Sequence, residues 1–132
     1  MAGKPLLNRW MKFNTVGLLG VPVQLGCIEL LHQYSSLHYL FITVLGVEAA
    51  VLHNFAWHIH WTWRERSSLN RIGKRFLSFH LTNALISFCG NILVMQILVG
   101  FVHLPVLLSN MIAITACSLA NFFASDRIVF KA

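Results

Sequence analysis

Four apolar runs, each long enough to be a helix that crosses a lipid bilayer, dominate the chain. They fall at about 13–34, 39–60, 76–101 and 104–125. A helix needs roughly 20 residues to cross about 30 Å of hydrocarbon, and a backbone placed there must satisfy its own hydrogen bonds. The runs predict an all-α integral membrane fold with four transmembrane helices. Composition points to the same solvent. Hydrophobic residues make up 57% and charged residues 11% of the 132 positions, too few charges to cover a core in water.

The links between the runs are short at 34–38 and 101–105. They predict two tandem helical hairpins, joined by a more polar segment at 64–75. The cations then set the orientation. Lys4, Arg9 and Lys12 precede the first run. Arg64, Arg66, Arg71, Lys74 and Arg75 separate the second from the third, and Arg127 and Lys131 follow the fourth. That is all ten Lys and Arg, so the other two links carry none. By the positive-inside rule both termini and the middle segment are cytoplasmic. The basic start resembles a signal peptide, but the apolar run behind it is too long and no small-residue cleavage site follows. We read it as the first span. The net charge of +6 is then a matter of topology and lipid headgroups, not of nucleic acid. Cys27, Cys89 and Cys117 lie inside apolar runs and read as packing residues.

The densest stretch is His53–Arg66, "HNFAWHIHWTWRER". It falls where the second run leaves the membrane on the basic side. Trp57, Trp61 and Trp63 suit the headgroup belt, and Arg64 and Arg66 the water beyond. A metal site does not fit, because His58 and His60 point about 200° apart on a helix and no acid or thiol completes the set. No cofactor is implied.

The stretch recurs. With a shift of 67, "LHNFAWHIHWTWR" at Leu52–Arg64 aligns with "LANFFASDRIVFK" at Leu119–Lys131, matching Asn54 to Asn121, Phe55 to Phe122 and Arg64 to Lys131. With a shift of 66, "RWMKF" at Arg9–Phe13 aligns with "RFLSF" at Arg75–Phe79. The chain, read as one membrane domain over 1–132, is a tandem repeat with halves at about 9–64 and 75–131. Each half crosses twice, so this is a parallel repeat, unlike the inverted repeats of many transporters. Small and polar stripes appear at helical spacing. Gly17, Val21 and Gln24 correspond to Asn83, Ser87 and Gly90; Thr43, Val47, Ala50 and Asn54 correspond to Asn110, Ile114, Cys117 and Asn121. In lipid such faces turn toward other helices.

Arg9/Phe13 before the first span, and Asn54/Phe55/Trp61/Thr62/Trp63/Arg64 and Asn121/Phe122/Val129/Phe130/Lys131 closing the second and fourth, resemble the GtrA-like family of bacterial membrane proteins. The resemblance covers nearly the whole chain. It implies a bacterial cytoplasmic (inner) membrane protein of cell-surface polysaccharide synthesis, which moves polyprenyl-phosphate-linked sugars across the membrane or supports a partner glycosyltransferase. It implies no enzymatic chemistry by the chain itself.

A polyprenyl-phosphate sugar presents an anionic phosphate, a polar sugar and an apolar tail. Arg and Lys suit the phosphate. The residues at the right depth are Arg9, Lys12, Arg64, Arg75, Arg127 and Lys131, with Arg75 and Arg127 closest to repeated motif positions. Asn54, Asn121, Asn83 and Gln24 would line a headgroup path. Glu48 joins them: it lies about nine residues from the outer end of its span, roughly 13–14 Å deep. A charge at that depth costs about 2.5–3.5 kcal/mol, and the matching position carries Thr115. Three readings follow: a lipid-linked sugar translocator, a non-transporting scaffold for a glycosyltransferase, and a small proton-coupled exporter built on Glu48. Four helices leave little room for an enclosed path, so a homo-oligomer is expected.

Overall fold

The computed structural model describes residues 3–66 and 70–131; positions 67–69 of the linking segment lie outside them. All described secondary structure is helical. Four helices are long and apolar enough to cross a membrane: Gly3–Tyr34, Tyr39–Thr62, Ile72–Phe101 and Val106–Val129. The protein is a multi-pass membrane protein. Two compact units divide it, Met1–Ser67 and Ser68–Ala132, and each holds one helical hairpin.

The first unit pairs α1 (Gly3–Tyr34) with α2 (Tyr39–Trp57). α1 begins ten residues before the apolar run expected at 13. Nothing between Lys4 and Phe13 breaks a helix, and Pro5 lies in the first turn, where its missing N–H costs nothing. Arg9 and Lys12 therefore project from a helix rather than a loop. The second unit pairs the span made of α3 (Ile72–Leu85), a π turn (Ile86–Gly90), α4 (Asn91–Met95) and a second π turn (Gln96–Phe101) with α5 (Val106–Ala124). Arg75 likewise projects from a helix.

The packed face keeps the expected Ala50, Cys117 and Asn121 and departs from the rest of the expected stripes by about one residue. Gly17, Val21, Thr43, Val47, Asn110 and Ile114 are exposed. The buried stripes are Phe13, Val16 and Gly20 against Ile42, Gly46 and Ala50, and in the second unit Ser109, Ala113 and Cys117. Small residues decide this. A Cβ on Gly20 would lie 2.5–3.1 Å from the Asn54 amide, and one on Gly46 would lie 2.5 Å from Ile28 and 3.1 Å from the Gln24 carbonyl, whereas nothing stands within 4 Å of Gly17. In lipid, packing and polar pairing hold helices together, so the helices meet where the backbones come closest. The large side chains left outside, among them Leu18, Leu25, Phe41 and Leu107, suit hydrocarbon.

The two register shifts of the repeat, 66 at Arg9/Arg75 and 67 at Asn54/Asn121, meet in the π turn at Ile86–Gly90. A π turn holds one extra residue inside an α-helix. Before it Phe13 and Phe79, matched at 66, are both buried; after it Val23, Gln24 and Cys27, matched at 67 to Gly90, Asn91 and Val94, are all half-buried like their partners. Phe88 is 70% exposed within this turn. Deleting Phe88 is expected to leave a folded protein, with the turn converted to regular helix and little change in the unfolding midpoint measured in detergent. Loss of folding on this deletion would show that the turn is not a spare residue.

Candidate functional site

α2 and α5 both end in a π turn, at His58–Thr62 and Ser125–Val129, positions related by 67. Each turn closes with the same five-residue bond: the N–H of Trp63 donates to the His58 carbonyl and that of Phe130 to the Ser125 carbonyl, both at 2.8 Å. The extra residue turns the closing aromatic inward. Trp63 is 1% and Phe130 0% exposed, so neither serves as the headgroup-belt residue expected of Trp63. Trp57 and Trp61 are exposed, as that role requires.

In the first unit the closing aromatic packs on Phe13 and His58. Phe13 stacks on His58 with ring centres 5.0 Å apart, and Trp63 meets both rings edge-on at 6.0 and 5.2 Å. The His58 Nδ1 lies 3.0 Å from the Thr62 hydroxyl. In the second unit the matching pair is Phe79 and Phe130, 6.3 Å apart. The Arg-x-x-x-Phe element and the closing motif therefore meet in three dimensions within each hairpin. The aromatic contact draws the first helix of the hairpin against the end of the second.

That contact builds a basic pocket at the same end of each hairpin. The first, about 220 Å³, is lined by Pro5, Asn8, Arg9, Lys12 and the segment His60–Arg66. The second, about 570 Å³, is lined by Asn70, Arg71, Lys74, Arg75, Ser78, Ile128, Val129 and Lys131. Seven lining positions correspond under the repeat: Pro5/Arg71, Asn8/Lys74, Arg9/Arg75, Lys12/Ser78, Trp61/Ile128, Thr62/Val129 and Arg64/Lys131. Each pocket has four Lys or Arg. The first also holds Glu65; the second holds no acidic residue among its lining. In the first pocket the Lys12 ammonium lies 5.4 Å from the centre of the Trp61 ring and 3.4 Å from the Trp61 carbonyl oxygen. A backbone at φ 65° on Arg71, the left-handed region, turns the chain into α3 and brings that residue into the second pocket.

Five of the six cations read from the sequence therefore line these pockets: Arg9, Lys12 and Arg64 in one, Arg75 and Lys131 in the other. Arg127 is exposed on the closing π turn and is not among the lining residues. Arg66, Arg71 and Lys74 line the pockets and were missed. Arg71 stands one helical turn before Arg75 and Lys74 immediately before it, and matching Pro5 and Asn8 to them was the available signal. His60 lines the first pocket, whereas His58 is buried behind it.

The path residues sit deeper. Asn54 is half-buried; with its amide nitrogen turned to the carbonyls, it donates to Val16 at 3.1 Å and Ala50 at 3.3 Å. Asn121 is buried and donates to the Ser87 hydroxyl at 3.1 Å. Asn83 donates to the Phe79 carbonyl one turn back at 2.9 Å. Gln24 and Glu48 are half-buried within the first hairpin and line neither pocket.

The family model described as GtrA/DPMS, transmembrane domain, matches residues 12–130. No curated protein matches the chain. The matched region takes in the first span from residue 12, the other three spans whole and the closing motifs as far as Phe130, and the chain belongs to the GtrA/DPMS transmembrane-domain family.

Proposed function

We propose that this protein binds polyprenyl-phosphate-linked sugars through the two basic pockets and carries their headgroups across the bacterial cytoplasmic membrane. Membership of the family makes it a membrane protein of polysaccharide or glycolipid synthesis. The observation that carries the finer reading is the pair of pockets lined by Arg9, Lys12, Arg64 and Arg66 and by Arg71, Lys74, Arg75 and Lys131, with Arg9/Arg75 and Arg64/Lys131 at corresponding positions. Cations needed only for orientation have no reason to converge on a cavity twice. Guanidinium and ammonium groups gathered at the end of an apolar hairpin suit a phosphate whose tail stays in lipid. In the orientation set by the cation bias both pockets open to the cytoplasm, where such lipids are charged with sugar. Beyond its pocket each hairpin offers polar positions to the headgroup, Asn54, Gln24 and Glu48 in the first and Asn83 and Asn121 in the second, and the chain acts as a homo-oligomer. A glycosyltransferase supplies the loaded lipid.

Native mass spectrometry of the protein in lipid nanodiscs tests the binding step. A polyprenyl phosphate is expected to be retained at up to two molecules per chain, and the uncharged polyprenol of the same length to wash away. Equal retention of both would show tail binding alone and would remove the role given to the pockets. Proteoliposomes holding a headgroup-labelled lipid then test movement. Binding without movement would assign the chain to the accessory role.

A further inference from the structure

The two hairpins share a backbone plan but not a polar interior. At the position of His58, which pairs with Thr62 at 3.0 Å, the second hairpin has Ser125, 0% exposed, with no hydrogen-bond partner for its hydroxyl. One turn deeper, Asn54 finds the Val16 and Ala50 carbonyls, whereas Asn121, 8% exposed, gives its nitrogen to Ser87 and leaves its side-chain oxygen without a partner. Facing Asn121 on the third span is Ser87, where the repeat at a shift of 67 has Gly20. Ser87 is exposed, so the polar seam reaches the surface of the hairpin. It lies in the π turn at Ile86–Gly90, a kind of turn that recurs at functional sites. Val129, four residues beyond Ser125, lines the wider basic pocket, which has no acidic residue among its lining.

A buried polar atom without a partner is costly, the more so in hydrocarbon. Two of them one helical turn apart, with Cβ atoms about 5–6 Å from each other, ask for a ligand carrying neighbouring groups that both donate and accept. Water is one such partner; a polyol is another. We propose that the seam formed by Ser87, Asn121 and Ser125 is a hydroxyl-binding subsite for the sugar of a lipid whose phosphate occupies the second pocket, and that the first hairpin lacks this subsite. The proposal rests on the phosphate reading of the basic pockets. It divides the labour of the repeat: the first hairpin holds an anion, and the second holds an anion together with its sugar.

The test uses the full chain in nanodiscs and two probes, a polyprenyl phosphate and the same lipid bearing one hexose. The unaltered protein is expected to bind the hexose-bearing lipid more tightly. Ser125→Ala and Ser87→Ala are each expected to weaken that lipid by about 3- to 10-fold, the loss of one hydrogen bond, and to leave the bare phosphate lipid within about twofold by the same measure. Retained binding of the bare lipid shows that each variant is folded. Ser109→Ala removes another buried, unpartnered hydroxyl at the opposite end of α5 and is expected to change neither value. Arg75→Gln is expected to weaken both lipids. Equal affinity of the unaltered protein for the two probes would overturn the proposal, as would serine variants that leave the preference for hexose intact; the seam would then hold water only. If Arg75→Gln weakens neither lipid while the serine variants remove the hexose preference, the phosphate assignment fails and the hydroxyl subsite stands.

Discussion

Gly20→Ala is expected to destabilise the first hairpin and Gly17→Ala to stabilise it, although the two glycines lie three residues apart on α1. Both changes give the helix the same gain, roughly 0.5–1 kcal/mol from removing a glycine. Gly17 has open space around it, so its variant keeps that gain. At Gly20 the new Cβ would stand 2.5 Å from the nearest atom of the Asn54 amide. Asn54 cannot step aside cheaply, because its nitrogen is held by the Val16 and Ala50 carbonyls at 3.1 and 3.3 Å, and breaking those bonds would leave polar atoms in an apolar interior. The alternative is to push α1 away from α2, which gives up the close approach that holds the hairpin together. Overpacking of this kind costs about 1–3 kcal/mol, so the two variants are expected to differ by about that amount. Unfolding followed in detergent, with the two proteins side by side, measures it. Equal midpoints would mean that Gly20 does not mark the contact.

The largest effect on ligand is expected from Arg9→Gln and Arg75→Gln in combination. Each arginine projects from the first helix of its hairpin at the same repeat position and lines a pocket with three other cations. Gln keeps most of the length and polarity but loses the charge and the planar fork that meets two phosphate oxygens at once. A hydrogen bond to a charged group contributes about 1.5–3 kcal/mol, which is roughly 10- to 150-fold in affinity. Each single change is expected to weaken one pocket by an amount in that range and leave the other at full strength. The double variant is expected to lose both tight sites. Titration of the polyprenyl phosphate at two salt concentrations checks this, since a phosphate held by cations weakens as salt rises. Insertion and yield of the double variant should be unchanged, because eight of the ten cations still mark the orientation. A double variant that binds as well as the original would reduce these arginines to markers of topology.

Glu48 is the residue on which the exporter reading rests. It is half-buried on α2 and lines neither basic pocket. No feature of the pockets calls for a proton at that depth.

The residues of the candidate site were largely legible before the structure. Repetition of Arg-x-x-x-Phe and of the closing motif pointed to the ends of the hairpins, and five of the six cations chosen there do line a pocket. Arg127 was chosen for its place beside motif residues. In the structure it stands exposed on the π turn Ser125–Val129, which carries the helix past residue 125, where the fourth apolar run was expected to end. Arg71 was passed over as part of a linking segment, and only its left-handed backbone brings it to the pocket.

The number of spans, their pairing by short links and the gathering of cations at the hairpin ends follow from the sequence alone. They depend on which solvent each residue prefers, a property that the residue carries wherever the chain places it. The packed face, the inward turn of Trp63 and Phe130, and the unsatisfied seam of the second hairpin were decided by the tertiary structure. In hydrocarbon there is no apolar-in, polar-out pattern to read, so Gly17 and Gly20 look alike along the chain. What tells them apart is the Asn54 side chain, brought over from another helix. A π turn, likewise, adds a single residue and leaves no periodic signature strong enough to see before the two halves are superposed.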